Sequence, residues 1–563
     1  MAREVYNIAS SGLLLAQRAL NTTSRNISNS NVEGYSRQRL ESDGIPEVER
    51  NQGQGSKGNI AGTVTRSFDF FVESQIRTES AAVNATDVYH QLASSIDNVV
   101  ADPDTNLGSP MSELFSALQG IVTDPSSSAA RIDTLDRAEV MTQRFGTLND
   151  QLNTLHDQVN SELKTSVDEI NTLAKNIASL NTQIVAASNL ANTSLPNDLM
   201  DQRDVMLQHL SEKIDTKVSV GEGGYLSVFV GYGQPLVSGG SYSQLEVTNS
   251  DYDPNNKNVM LIRDNVAPSN ITDTISGGHM GGVLRFNKEV LNPTQNYLGQ
   301  MAAGFALAFN AQNSAGIDLN GNAGGNLFTD FTKTLNTKDN WHENTGNTSV
   351  AKLDVSFDNS TDNNYRNLVA SDYNLVFKEG SYTLTRLSDK TTFPPSTDGT
   401  FNVDGLNIKL RQDSDPPVLP ADGDSYLITP FAHVASDIQV TVKDGSKIAA
   451  ASPGGSGAAD NTNIFALSKL QTVASLANGK YTFQEVYSGM VTWVGGKTRN
   501  ADIDNQAHQT LLKQMNDQRQ SISGVNLDEE ASSLLQYQQA YQAAARIIPI
   551  ANSMFDALLS AVR

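Results

Sequence analysis

The chain has 563 residues, 38% of them hydrophobic and only 18% charged, so its surface is filled out by Asn, Ser, Thr, Gln and Gly more than by Lys and Glu. That length exceeds what one hydrophobic core serves, and at about 100 to 200 residues per domain it predicts three to five folding units. A net charge of -22 argues against nucleic acid and anionic membranes as partners, and the absence of cysteine removes disulfides, thiolate metal sites and cysteine nucleophiles together.

From Met1 to Ser30 the apolar residues follow a seven-residue repeat. Tyr6, Leu13, Leu20 and Ile27 lie on one line, and Ala9, Ala16 and Thr23 stand three residues after the first three. This heptad predicts a coiled-coil helix of about four repeats. Gly34 in "NVEGYS" is the expected stop, because glycine takes left-handed torsions without a Cβ clash. No basic segment with an apolar run and cleavage site opens the chain, and no run of about 18 apolar residues occurs, so neither a cleaved signal peptide nor membrane insertion is expected.

Further on, "SPMSELFSALQGIV" reads as a short helix with Ser109 as cap and Pro110 at the first helical position. Residues 126 to 189 keep helical spacing, with Phe145, Leu148, Leu152, Val159, Leu163, Ile170, Ile177 and Ile184 on one face and no Pro or Gly from Thr147 to Leu195. Roughly 60 residues at 1.5 Å each make a rod of about 90 Å. After Ile214, "TKVSVGEGGYLSVFVGYGQPLVSG" alternates apolar and polar residues, which predicts a small antiparallel unit near 215–275. "NPTQNYLGQMAAGFALAFNAQN" and "NQAHQTLLKQMNDQRQSI" are further helices of the rod. Between 346 and 460 helical periodicity vanishes and strands alternate with Gly, Asp and Pro clusters, until the flexible "AAASPGGSGAADN" leads back out.

At the far end Leu534, Tyr541, Ile548, Phe555 and Val562 recur every seven residues, interleaved with Tyr537, Ala544, Ala551 and Leu558. Asn526 with Glu529 reads as a capping box, and Pro549 predicts a kink near Ala545 or a bend. The expected fold is mainly α with β. Terminal coiled-coil helices occupy 1–35 and 525–563, a helical-bundle rod with its small β unit fills 36–345 and 461–524, and an antiparallel β domain is inserted at 346–460. Narrow seams at both ends predict two helices that zip together and need neighbouring chains for stability. The expected subunit-assembly residues are Tyr6, Leu13, Leu20, Ile27, Leu534, Tyr541, Ile548 and Phe555.

Motifs for chemistry fail on inspection. "GMVTWVGGKTRN" ends like a phosphate loop, but the position for its first glycine is Val491. "IDLNGNAGGNLF" places Asp318, Asn320 and Asn322 as calcium ligands would stand, yet its sixth position is Ala323 and its twelfth Thr329. Seven histidines stand apart without zinc spacing, and no GxSxG elbow occurs. No catalytic residue, metal or cofactor is expected, and the chain reads as a structural protein more than an enzyme.

"GLLLAQRALNTTSRNISNSNVEGYSRQ" resembles the N-terminal signature of the axial proteins of the bacterial flagellum, the family of rod, hook and hook-associated proteins, on Leu20, Asn26, Ile27, Asn29, Gly34, Tyr35 and Arg37. "SGVNLDEEASSLLQYQQAYQAAARIIPIANSMFDALL" is similar to its C-terminal counterpart, and "NDLMDQRDVMLQHLSEKIDTKVSVGEGG" and "GQPLVSG" resemble segments of its hook-associated members. The resemblance implies terminal helices that order into an inner tube on assembly, with the rod and β domain outside. It implies as partners further copies in a junction ring, the hook protein, a second hook-associated junction protein, and an export chaperone on the C-terminal helix. It also implies an extracellular place in the flagellum, reached through the flagellar export channel without a cleaved signal. The rival readings are another axial protein, or a secreted adhesin whose β insert binds sugar; only Trp341 and Trp493 are available as tryptophan platforms for the latter.

Overall fold

The computed structural model describes residues 2–41, 62–190, 196–221, 224–253, 256–333, 340–348, 351–358, 364–411, 420–455 and 457–561. Helix α1 (Ala2–Ser28) opens the chain and ends before Gly34, which has φ +75° in the turn that follows. Strands β1 (Gln38–Glu41) and β2 (Thr63–Arg66) form an antiparallel pair at its foot. Helix α2 (Phe70–Ala101) then starts from Asp69, whose carboxylate accepts from the amides of Phe71 and Val72. Its apolar line Val72, Ile76, Leu92, Ile96 and Val100 is buried.

Helix α3 (Gly108–Thr123) begins one residue before the expected cap. The capping oxygen belongs to Asn106, which accepts from Gly108 N at 2.9 Å and Ser109 N at 3.2 Å, so Ser109 is inside the helix. The helical spacing read from 126 onward forms one 63-residue helix, α4 (Ser128–Leu190), about 95 Å long at 1.5 Å per residue. Helix α5 (Asn197–Lys213) returns along it.

The small β unit comprises two antiparallel sheets. β3 (Thr216–Val220), β4 (Leu226–Val230), β5 (Gln234–Ser238) and β6 (Ser241–Tyr242) run in that order; β7 (Gln244–Asn249), β8 (Lys257–Arg263) and β9 (Val266–Asn270) form the second. Two asparagines of α4 fasten them to the rod. Asn171 exchanges two hydrogen bonds of 2.8 Å with the backbone of Leu245, and the Asn181 amide donates to Leu226 O and Gly239 O. Backbone groups that a helix face alone would leave dry and unpaired are satisfied this way.

Helix α6 (Gly278–Phe286) continues through a π turn at Asn287–Leu291 into α7 (Asn292–Ser314), the most buried helix of the body. Phe305 stacks on Phe309 at 4.1 Å and meets Phe328 and Phe483 edge-on at 5.3 and 5.4 Å, which ties α7 to the return segment. Strands β10 (Trp341–Glu343), β11 (Lys352–Phe357), β12 (Tyr373–Lys378), β13 (Ser381–Arg386), β14 (Thr400–Val403), β15 (Leu406–Arg411) and β16 (Ser425–Ile428) make two further antiparallel sheets, ordered β10-β16-β12-β13 and β11-β15-β14. Alternate residues Leu353, Val355 and Phe357 are buried, as one covered face requires.

From α8 (Val434–Asp437) onward the chain lies against the helices. Arg131 of α4, 1% exposed, donates to the carbonyls of Gly445 and Ile448, and Asn313 of α7 accepts from Ala449 N. The strands described therefore lie between Trp341 and Ile428, not across the expected 346–460, and beyond α8 the described residues up to 460 add no strand of the insert because they are held on the rod by these hydrogen bonds. After α9 (Thr462–Lys469), helix α10 (Phe483–Ser523) opens on a reciprocal capping box of Thr482 and Glu485. It runs antiparallel to α2: Tyr487 donates to Val100 O, His508 meets Glu79, and Arg519 meets Glu73. Helix α11 (Leu527–Ala561) continues through Pro549 without a break. At its start Asn526 accepts from the amides of Asp528 and Glu529, while the Glu529 carboxylate turns to Arg37 instead of closing the expected box. No helix among the described residues is long and apolar enough to cross a membrane.

Candidate assembly site at the paired terminal helices

α1 and α11 lie antiparallel, since Gly12 faces Ala544 and Asn26 faces Glu530. Their contact is made by small residues. Ala9, Ala16, Ala19 and Thr23 on α1, and Ala544 and Ala551 on α11, are at most 9% exposed. Leu13, Leu20, Ile27, Leu534, Tyr541 and Ile548 are only half-buried beside that contact, and Tyr6 is 43% exposed. The side chain of Phe555 lies outside the described residues. Alanines let two helices approach closely but remove little apolar area from water, at about 25 cal/mol per Å². Larger side chains stay in solvent: Ile8 is 70% exposed, Leu14 55%, Leu535 60% and Ile550 57%.

Where the pair meets the body, the chain crosses itself several times and a polar clasp holds the crossing. Asn26, 1% exposed, donates to Gln38 O at 2.9 Å and to Glu530 Oε2 at 3.0 Å, and its Oδ1 accepts from Gln38 N and the Tyr35 hydroxyl. Both ends of the amide are thus satisfied, as burial demands. Arg37 donates to Glu530 Oε1 at 2.7 Å and to Glu529 at 2.8 Å. Burial, with Asp201 and Asp198 nearby, pushes the Tyr35 hydroxyl up to about 12, so it stays a neutral donor.

The segment "LMDQRD" in α5 completes the clasp. Asp201 accepts from Ser36 N and, with Asp204, from Arg66 at 2.8 and 2.6 Å. Arg203 reaches the other way, donating to Asn181 Oδ1 on α4 and to Gly224 O. A Cβ on Gly34 would fall 2.0 Å from Val205 Cγ2, so glycine is required there both by its torsion and by the close approach of α5. The signature residues Asn26, Gly34, Tyr35 and Arg37 therefore share one task, fixing the terminal pair to the rod.

Other sequence candidates serve local structure. Asp318 Oδ1 accepts from Asn320 N and Asn322 N, closing a turn, and Asn320 donates to Ser446 Oγ. Gly495, Gly496 and Lys497 lie inside α10, with Lys497 on Glu289. Folding does gather His156, His342 and His433 into one cleft with Asp157, Asp253 and Lys257, which no spacing in the sequence signals. Among the described residues no group of three His, Asp or Glu is placed to hold a metal ion.

Four family models match along the chain. They are the flagella basal body rod protein over residues 7–35, the flagellar hook-associated protein FlgK helical domain over 93–328, the flagellar hook-associated protein 1 D2-like domain over 342–430, and the flagellar basal body rod FlgEFG protein C-terminal model over 516–561. Flagellar hook-associated protein 1 of Escherichia coli (strain K12) is 33% identical over 564 residues, covering 99% of each chain. That of Salmonella typhimurium is 34% identical over 569 residues, again 99% of each. The solved structure of the flagellar hook junction protein FlgK from Burkholderia pseudomallei superposes with a TM-score of 0.72 at 24% identity, covering 80% of this chain and all of that one, and has the same fold. With a third of its residues shared end to end, and with the clasp built from the axial signature, this chain belongs to the flagellar hook-associated protein 1 family.

Proposed function

We propose that this chain is a structural subunit that joins the flagellar hook to the filament by polymerising through α1 and α11. The observation that carries the reading is the division of labour on those helices. Small residues make the contact within the chain, and the large apolar ones, Ile8, Leu14, Ile547 and Ile550 among them, remain in water. Exposed apolar area of this kind marks an interface, and in a ring of subunits its burial favours assembly. Tyr6, Leu13, Leu20, Ile27, Leu534, Tyr541 and Ile548 flank the intramolecular contact and, with Phe555 from the same heptad, are the assembly residues of this proposal.

Its partners are further copies of the chain, the hook protein and a second hook-associated junction protein, with an export chaperone shielding α11 before assembly. Its place is outside the cell, reached through the flagellar export channel. The rod, which includes the described residues of 434–460 held on α4 and α7, and the β insert, whose strands run from Trp341 to Ile428, form the outer part of the junction, and catalysis has no part in this role. Adding the purified chain to isolated hooks tests the reading. The full chain caps hook ends and a version cut to residues 40–520 does not; equal capping by both would overturn it.

A further inference from the structure

Two apolar surfaces are uncovered, one toward the far end of α11 and one at the clasp. The first is a stripe on α11, where Ile547, Ile550 and Met554 are 40%, 57% and 46% exposed and share one side of the helix. That side lies roughly a quarter turn from Ala544 and Ala551, at 3.6 residues per turn. Arg546 stands beside the stripe, exposed and without an ion-pair partner among the described residues. The second is a groove between the turn after α1, α4 and α5, lined by Val32, Leu180, Val205 and Met206, with Glu33 and Asp198 in its wall. Val32 is 57% exposed, and the Glu33 side chain 82%.

We propose that the α11 stripe of one copy docks in this groove of a neighbouring copy, with Arg546 against Glu33 and Asp198. Apolar helix face and apolar groove match as helix-in-groove interfaces do, and the charges on their rims are opposite. The stripe of the same chain cannot reach. With Gly12 opposite Ala544 and Asn26 opposite Glu530, Ile550 is level with Tyr6, about 33 Å along α1 from Ser28 and the groove beyond it. A second copy is therefore the occupant. This inference rests on the polymerising role proposed above and names the surface that receives each helix.

The chain has no cysteine, so introduced thiols are the only ones it carries. Val32→Cys copies and Ile550→Cys copies, carrying tags of different size, are mixed, added to isolated hooks and oxidised. The expected product is a mixed disulfide dimer that forms only when both variants and hooks are present. Arg546→Glu lowers its yield about fivefold, the effect of a rim ion pair near 1 kcal/mol, and Glu33→Arg in the partner population restores it. Assembly on hooks without the mixed dimer overturns the docking and leaves the junction role standing. Failure of the unmodified chain to add to hooks overturns both. If the cysteine variants do not assemble, the charge pair decides: Arg546→Glu copies that cap hooks at the unmodified rate overturn the docking.

Discussion

Glu530 is 3% exposed and carries a charge that Arg37 and Asn26 between them neutralise and solvate. Removing one partner of such a pair leaves the other buried without compensation, which costs more than the pair itself contributes. Arg37→Ala is thus expected to destabilise the joint between α11 and the body by about 3 kcal/mol, far more than loss of a surface ion pair. Amide hydrogen exchange over residues 523–540 checks it: protection falls there and not in α4, and unchanged exchange would remove Arg37 from the clasp. The sequence displayed Asn26, Tyr35 and Arg37 as a resemblance without a reason. The reason lies 493 residues along the chain in the Arg37–Glu530 contact, and no local pattern reveals a partner at that separation.

Among the elements, the terminal helices obey their heptads, but the residues at the contact are the small ones. Ala16 is 5% exposed and Leu14 55%. Ala16→Leu inserts three heavy atoms where two helices touch and is expected to cost about 1 to 3 kcal/mol by overpacking, seen as faster exchange of α1 and α11 in the free chain. Leu14→Ala leaves the free chain's exchange unchanged and slows addition to hooks. If the two variants behave alike, the split between inner contact and outer assembly face is wrong. Helix α4 was legible from its long run without Pro or Gly. Helix α2 was not singled out, although Asp69 caps it, because its buried face mixes Ser80, Ala81, Ala85 and Thr86 with the larger apolar residues and so blurs the period.

For the whole molecule, the cleft of His156, His342 and His433 joins the rod, the small β unit and the root of the β insert. His156 Nε2 is 3.3 Å from Asn292 Oδ1, and its Nδ1 is buried without a partner among the described residues. Burial therefore holds its pKa below the usual 6.5, against the pull of Asn292, Asp253 and Asp157. The unfolded chain binds this proton more readily, so the histidine's contribution to stability is full above about pH 6.5 and is lost as pH falls toward the folded value. His156→Gln should flatten the decline of melting temperature between about pH 7 and 5 relative to the unmodified chain. Parallel melting curves across that range would show that His156 is not held neutral by the fold. Asp372, pushed up to about 6 by burial and by Asp253, lies at the same root and acts in the opposite sense: its burial weakens the fold at neutral pH and ceases to do so as it protonates.

The sequence by itself determined the elements whose rules are local: the heptads of both ends, the unbroken rod helix, and the alternation of strands after 346, which it carried on to 460 where the last described strand ends at Ile428. It also determined the absence of thiol chemistry, since that follows from composition alone. Tertiary structure decided what depends on distance across the chain. It set which line of each terminal helix is covered, because that turns on how closely Ala16 and Ala544 let the helices approach. It also turned Asp318 to its own turn, gathered three separated histidines into one cleft, and made Asn26, Arg37, Asp201 and Glu530 a single clasp, since buried charges and amides must find partners wherever the fold brings them within reach.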